Sequence, residues 1–273
     1  MLVTLTVPVS SLVVGLGGLV AVRSPAHGRP AGNEAKRVEV VVEEHHDYAQ
    51  IIDAPDAPFL SWLVQRGALL GGYFGARQPS LPDSRAMLDD DALGIDCACV
   101  DGPVSASQSN LIDRLEAAGI SWAAYLHGPP TPCPDTRNTR AYAKQRNPFA
   151  YLGSIRRDPQ HCKNVVPFER FAADLAFRRL PQLVFVVPDR RYDLHDGSVA
   201  PADAWLVDLC RPLATSTAWG GGDTRLVVTF DENRDGEATC YPGYRPLRTT
   251  EEEPGLGYLG RVTHATTIPA TIG

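Results

Sequence analysis

The sequence predicts an α/β fold: a mostly parallel central sheet with helices on both faces. Three observations predict it. Residues 38–42, Leu183–Val187 and 226–230 are short, near-continuous apolar runs, the pattern of strands buried on both sides. Helical patterns flank these runs. With 23 Pro and 24 Gly in 273 residues the chain is rich in turns, which excludes a helical bundle or coiled coil.

The elements follow in order. Residues 2–22 carry no charge, small residues follow at 21–26, and 23–36 reads as a polar Pro/Gly linker. Residues 1–37 are therefore expected to be an export signal or anchor plus linker, in preference to a buried strand, leaving one domain over 38–273. Six cysteines (Cys97, Cys99, Cys133, Cys162, Cys210 and Cys240) fit an oxidising compartment, and with C-x-C but no CxxC pair they favour disulfides over a zinc knuckle. The expected location is secreted or cell-surface. The strand at 38–42 empties into Glu43, Glu44, His45, His46 and Asp47. Residues 58–67 read as a helix, with Phe59, Trp62 and Leu63 at helical spacing and Gly67 as its C-cap. A second apolar stretch at 68–76 leads to Gln78, Pro79, Ser80, Leu81 and Pro82, where two prolines fence one serine in a rigid turn. Residues 109–119 form a helix closed by Gly119, with Leu111, Ile112 and Leu115 on one face, and lead into a strand at 120–126. The strand Leu183–Val187 stops at Pro188 and delivers Asp189, Asp193, His195 and Asp196; the strand at 226–230 delivers Asp231 and Glu232. Helices are expected at 168–178 and 203–213.

Three strands thus end in acidic clusters. In open parallel sheets ligands bind outside the carboxyl ends of the strands, so the clusters are expected to converge at one edge. The balance of 26 Lys+Arg against 32 Asp+Glu, a formal charge of −6, offers no basic surface for a nucleic acid. No GxGxxG or GxxxxGK[ST] loop is present, so a nucleotide cradle is unsupported. Converging carboxylates repel unless protons or cations lie between them, and a divalent metal is the ordinary solution. Glu44, Asp231 and Glu232 with a nearby imidazole suit Mg, Ca, Mn or Fe, and zinc only if histidines join. A serine beside such a site, Ser80 in particular, could act as nucleophile. Each element alone has a plainer reading: Asp231-Glu232 as a solvated loop, His45-His46 as a surface pair, Ser80 as a turn residue. Asp89-Asp90-Asp91 reads as a solvated turn and Glu251-Glu252-Glu253 as a helix face.

Several blocks in order resemble a known family. Glu44-His45-His46-Asp47-Tyr48 is similar to a strand-end E-N-H-S-Y, and Gln78-Pro79-Ser80-Leu81-Pro82-Asp83-Ser84 to H-P-S-x-P-N-Y. Asn147-Pro148-Phe149, Val165-Val166-Pro167-Phe168, DLHDGSVAPADAWL from Asp193 and VVTFDE from Val227 follow in family order. The chain from Val38 onward resembles the bacterial phosphoesterases, a group of secreted acid phosphatases, phospholipases C and phosphatidylinositol-3-phosphatase-like enzymes with an alkaline-phosphatase-like three-layer core. The resemblance implies a divalent metal held by Glu44, His45, Asp231 and Glu232, with Asp193 and Asp196 as further acids, and Ser80 attacking phosphorus. It implies that His195 contacts the phosphate or protonates the leaving group, and that the substrate is a small-molecule or lipid phosphate ester, the latter at a membrane surface. Five departures stand out. His45 replaces Asn, Gln78 replaces His, Asp83 and Ser84 replace Asn and Tyr, Arg191 and Gly197 replace two cysteines flanking the D-x-H-D block, and the segment after Glu232 is shortened by about a strand. The alternative they imply is a catalytically impaired relative that binds a phosphorylated ligand or a partner.

Overall fold

A computed structural model of the chain describes residues 2–5, 37–70, 80–89, 110–129, 137–220 and 224–231. Its strands are β1 (Leu2–Leu5), β2 (Arg37–Glu43), β3 (Ala68–Leu70), β4 (Trp122–Leu126), β5 (Val165–Pro167), β6 (Leu183–Val187) and β7 (Thr224–Phe230). They form one seven-stranded sheet in the order β3-β1-β7-β2-β6-β4-β5. From β7 to β5 every pairing is parallel, and β1 runs antiparallel to both β7 and β3. The α/β class is as expected. The start of the expected export segment takes a sheet position, since Leu2–Leu5 pairs with β7 and β3; its Val3 and Thr4 suit extended backbone. Residues 6–36 lie outside the described residues.

The helices are α1 (Tyr48–Ile51), α2 (Pro58–Arg66), α3 (Ser80–Asp89), α4 (Leu111–Ala118), α5 (Gly153–Arg157), α6 (Pro159–Cys162), α7 (Arg170–Ala176), α8 (Val199–Ala214) and α9 (Thr217–Gly220). Alternate residues of β2 explain the layers. Val38, Val40 and Val42 pack with Leu88 of α3, Leu111 and Leu115 of α4 and Ile155 of α5. On the opposite face Val41 packs with Leu60 and Leu63 of α2, Phe171 of α7 and Leu206 and Leu209 of α8. Both faces of the parallel strands are therefore covered, which is why their sequences read as unbroken apolar runs.

Local signals account for the element ends. Asn110 Oδ1 accepts the Asp113 N–H at 3.0 Å and Gly119 takes φ 68, so α4 is capped at both ends. The α2 amino end is capped from a distance: Asp203 of α8 accepts the N–H groups of Phe59 and Leu60 at 2.9 and 2.8 Å. That contact joins α8 to α2 on one face. The helix expected at 203–213 begins earlier, at Val199, because Pro201 in the first turn needs no N–H partner. Cys210 is a buried free thiol, outside any disulfide, and Cys97, Cys99, Cys133 and Cys240 lie outside the described residues. Among the described residues, no helix is long and apolar enough to cross a membrane.

The expected solvated turn at Asp89 is instead the buried end of α3. Arg85, fully buried, pairs with the Asp89 carboxylate through Nε at 2.7 Å and through Nη2, and donates from Nη1 to the Tyr151 carbonyl at 2.9 Å. Burial raises the Asp89 pKa to about 6 against the pull of Arg85. Asp90 and Asp91 lie outside the described residues. Replacing Arg85 with Met leaves a buried acid without its cation, and at pH 7 is expected to cost about 3–5 kcal/mol in urea denaturation. The loss should shrink at pH 5, where Asp89 is neutral; an equal loss at both pH values would contradict the ion-pair account.

Glu39, in the middle of β2, is 1% exposed, and Oε1 lacks a hydrogen-bond partner among the described residues. Burial raises its pKa to about 8, with Arg37 pulling the other way. The unfolded chain releases this proton near the ordinary value of 4.5, whereas the folded chain keeps it up to about pH 8. Stability therefore falls as pH rises across that window, by up to about 1.4 kcal/mol per pH unit. Glu39→Gln should flatten this slope and stabilise the protein at pH 8, measured by denaturation at pH 5, 6.5 and 8. An unchanged slope would locate the pH dependence elsewhere.

Candidate active site

Because β7, β2 and β6 are adjacent and parallel, their carboxyl ends share one edge. Glu43 and Glu44 close β2, Asp231 follows β7, and Asp189, Asp193, His195 and Asp196 follow β6. Backbone bonds lock the three ends together. Asp231 N–H donates to the Glu43 carbonyl at 2.9 Å, and Glu44 N–H to the Asp193 carbonyl at 2.8 Å. The expected convergence is met for the described members, and Glu232 lies outside them.

Glu44 is the centre of the cluster. Ser80 Oγ donates to its Oε2 at 2.9 Å, and Arg146 Nε lies 3.2 Å from the same oxygen. Its carboxyl also shares a hydrogen bond with that of Asp231. Burial raises the Glu44 pKa, opposed by Arg146, Ser80, Asp231 and the more distant His195. The neighbouring Glu43 is fully buried, and neither carboxyl oxygen has a hydrogen-bond partner among the described residues. Burial and, second, the charge of Glu44 hold its pKa well above the ordinary range.

Ser80 lies in a helix and not in the expected turn. It is the first residue of α3, with Pro82 inside the opening turn, where a missing N–H costs nothing. Its neighbours Gln78 and Pro79 lie outside the described residues. The α3 residues are buried along the whole helix, so the hydroxyl is held on a rigid element at the amino end of a helix dipole.

The loop after β6 is shaped by strained backbone. Leu194 has φ 74, which is costly for a bulky side chain, and is itself fully buried in the core beneath. This clamp sets the residues on either side of it. Asp193 Oδ1 accepts the His195 N–H at 3.0 Å, and His195 Nδ1 lies 3.0 Å from Asp196 Oδ1. Against partial burial, His195, Arg146 and Arg190 hold the Asp196 carboxyl below its ordinary pKa range. The His45 ring lies 4.9 Å from that of His195, centroid to centroid, and His45 also has positive φ, at 48°. A β-carbon at Gly197 would lie 2.6 Å from the Arg191 carbonyl oxygen, so the chain at one of the two positions read as having lost cysteines passes close to the backbone of the other.

Two candidates at the edge serve other ends. Asp47 forms a capping box with Gln50 at the start of α1. Asp189 pairs with Arg191, at 2.7 Å, and with His127, at 3.9 Å. The residue that sequence reasoning missed is Arg146. It closes a short 3-10 turn, Lys144–Arg146, pinned where the Lys144 N–H donates to Asn138 Oδ1 at 2.7 Å. Besides Glu44, its guanidinium pairs with Asp193 and lies 3.8 Å from Asp196. Its one signal in the sequence is its place directly before Asn147-Pro148-Phe149.

The donor set bears on a metal. Among the described residues no group of three His, Cys, Asp or Glu side chains forms a ready cation cage. The Glu44–Asp231 pair nevertheless fits one. Both carboxyls are buried at adjacent strand ends, where like charges repel, so a cation suits the place beside them. Oxygen donors of this kind favour hard divalent ions.

Comparison with known proteins agrees with this arrangement. A phosphatidylinositol-3-phosphatase of Mycobacterium tuberculosis is 30% identical over 254 residues, 85% of this chain and 81% of that protein. A probable acid phosphatase of Kluyveromyces lactis is 29% identical over 211 residues, 74% of this chain and 48% of that one. An acid phosphatase of Aspergillus fumigatus is 27% identical over 197 residues, 70% of this chain and 43% of that one. The chain thus spans about half the length of the fungal relatives it matches. The Phosphoesterase family model matches residues 38–270, from the strand that carries Glu44 past Asp231, and the chain belongs to the Phosphoesterase family.

Proposed function

We propose that this protein is a metal-dependent phosphoesterase that cleaves a small-molecule or lipid phosphate ester through a phosphoserine at Ser80. The observation that carries the reading is the 2.9 Å hydrogen bond from Ser80 Oγ to the buried Glu44, at the helix end facing the acidic strand ends. The substrate class follows from the family and from relatives named as acid phosphatases and a phosphatidylinositol-3-phosphatase. A lipid substrate would be met at a membrane surface. Export rests on the uncharged residues 6–22, which follow β1, and on the cysteine content.

Glu44 accepts the Ser80 hydroxyl hydrogen and so fixes Oγ. As Oγ attacks phosphorus the Oγ–P bond forms and the hydroxyl proton passes to Glu44, while the bond from phosphorus to the alcohol oxygen breaks and that oxygen takes up a proton. Asp196 holds His195 at Nδ1, so an imidazolium there gives that proton from Nε2. Water then attacks phosphorus, forming a new P–O bond as the Oγ–P bond breaks; its proton passes to His195 and the proton held by Glu44 returns to Oγ, releasing phosphate and restoring the serine. Glu44 and Asp231, joined by His45 and Glu232, are the residues that would hold the metal. When bound, a divalent ion neutralises charge on the phosphoryl oxygens and lowers the pKa of the serine hydroxyl.

Purified protein supplied with Mg2+, Mn2+, Ca2+ or Zn2+ is expected to release phosphate from an aryl phosphate. Ser80→Ala and Glu44→Ala should each lower kcat by at least about a hundredfold while leaving the fold intact by circular dichroism. Wild-type protein that binds the ester but releases no phosphate with any of these ions would overturn the reading in favour of a binding protein. So would Ser80→Ala within tenfold of wild type.

A further inference from the structure

Arg146 bridges acids from two strand ends. Nε lies 3.2 Å from Glu44 Oε2, Nη1 pairs with Asp193 Oδ2, and Nη2 lies 3.8 Å from Asp196 Oδ2. The residue is 6% exposed, while Glu44 and Asp193 are buried almost completely. A guanidinium keeps its charge at any pH the fold survives, and its planar fork can meet several carboxylates at once. It is a permanent cation inside the cluster.

The partners of the acids divide the cluster into two halves. Asp193 gives Oδ1 to the His195 N–H and Oδ2 to Arg146. Asp196 directs Oδ1 to His195 Nδ1 and Oδ2 toward Arg146. On the other side, the Asp231 N–H bonds the Glu43 carbonyl at 2.9 Å and so sets Asp231 beside the end of β2, where its carboxyl helps to lower the Glu44 pKa. We propose that Arg146 is the fixed cation of the Asp193–Asp196 half, filling the place a second divalent ion would need, so that the site takes a single ion on the Glu44–Asp231 side. This rests on the metal reading above. A dication placed between Asp193 and Glu44 would have to displace the guanidinium or sit against its charge, which is strongly repulsive in a buried site. Arg146 and one divalent ion together offset three of the four charges that Glu44, Asp193, Asp196 and Asp231 carry when ionised.

Titration of metal-free full-length protein with Mn2+, read by calorimetry and by native mass spectrometry, tests this. Wild type should bind one equivalent, Arg146→Lys one, and folded Arg146→Met two. Asp196→Asn, at a half-exposed position that should fold, is expected to keep one equivalent with Kd within about twofold of wild type. Two equivalents on wild type would overturn the inference and leave the metal reading standing. A single equivalent on folded Arg146→Met, or loss of the ion in Asp196→Asn, would also overturn it. No Mn2+ bound to wild type would overturn the metal reading, and the inference with it. If Arg146→Met does not fold, the wild-type stoichiometry and Asp196→Asn decide.

Discussion

Carboxylates buried at the ends of three adjacent parallel strands must each find a proton, a donor or a cation, and the organisation of this site follows from that requirement. Burial and the neighbouring Glu44 hold the Glu43 pKa well above the ordinary carboxylate range. Glu44 gathers Ser80, Arg146 and Asp231, and Asp193 takes Arg146 together with a backbone N–H of its own loop. The serine is held next to the acids because its hydroxyl is one of the donors that make Glu44 tolerable there. Ser80 and Arg146 thus meet at the same oxygen atom, Glu44 Oε2.

The rest of the molecule sets those groups in place. The parallel register of β7, β2 and β6 carries Asp231, Glu44 and Asp193 to one edge, and cores on both faces stop the strands from sliding. Arg85 ties α3 to the segment around Tyr151, and Ser80 opens that helix while Arg146 lies shortly before that segment. Ser80 and Arg146 are therefore anchored through a common contact. On the other side, buried Leu194 in left-handed backbone and the close approach of Gly197 to Arg191 fix the loop that presents Asp193 and His195. The strain at Leu194 is sustained by the surrounding packing.

The fold class and the meeting of the strand ends were legible because hydrophobic period and strand-end acidity are local signals. Glu44, Asp231 and the Asp193–Asp196 segment could be picked out on that basis, and Ser80 by its prolines. The conformation around Ser80 was not legible: Pro79 and Pro82 suggest a turn as readily as a helix start, and burial decides between them. Asp89 looked solvated among three acids, because its partner Arg85 becomes visible only once one turn of helix places the two side chains together. Arg146 escaped notice for a similar reason. An isolated arginine is ordinarily a surface residue, and nothing near it in the chain shows that Glu44 and Asp193, distant in sequence, will close around it. The start of the chain shows the opposite limit, since an uncharged β-branched stretch suits an export segment and a sheet strand alike.

The central claim is that Ser80 carries the phosphoryl group. The most direct measurement is to quench the metal-loaded protein during turnover of an aryl phosphate at acid pH, digest it, and map phosphorylation by mass spectrometry. The account predicts one phosphoryl group on the peptide containing Ser80, at the Oγ of that residue, and none in Ser80→Ala. A phosphoryl group on any other side chain, or steady turnover with no covalent adduct in a quench fast enough to capture single turnovers, would contradict it.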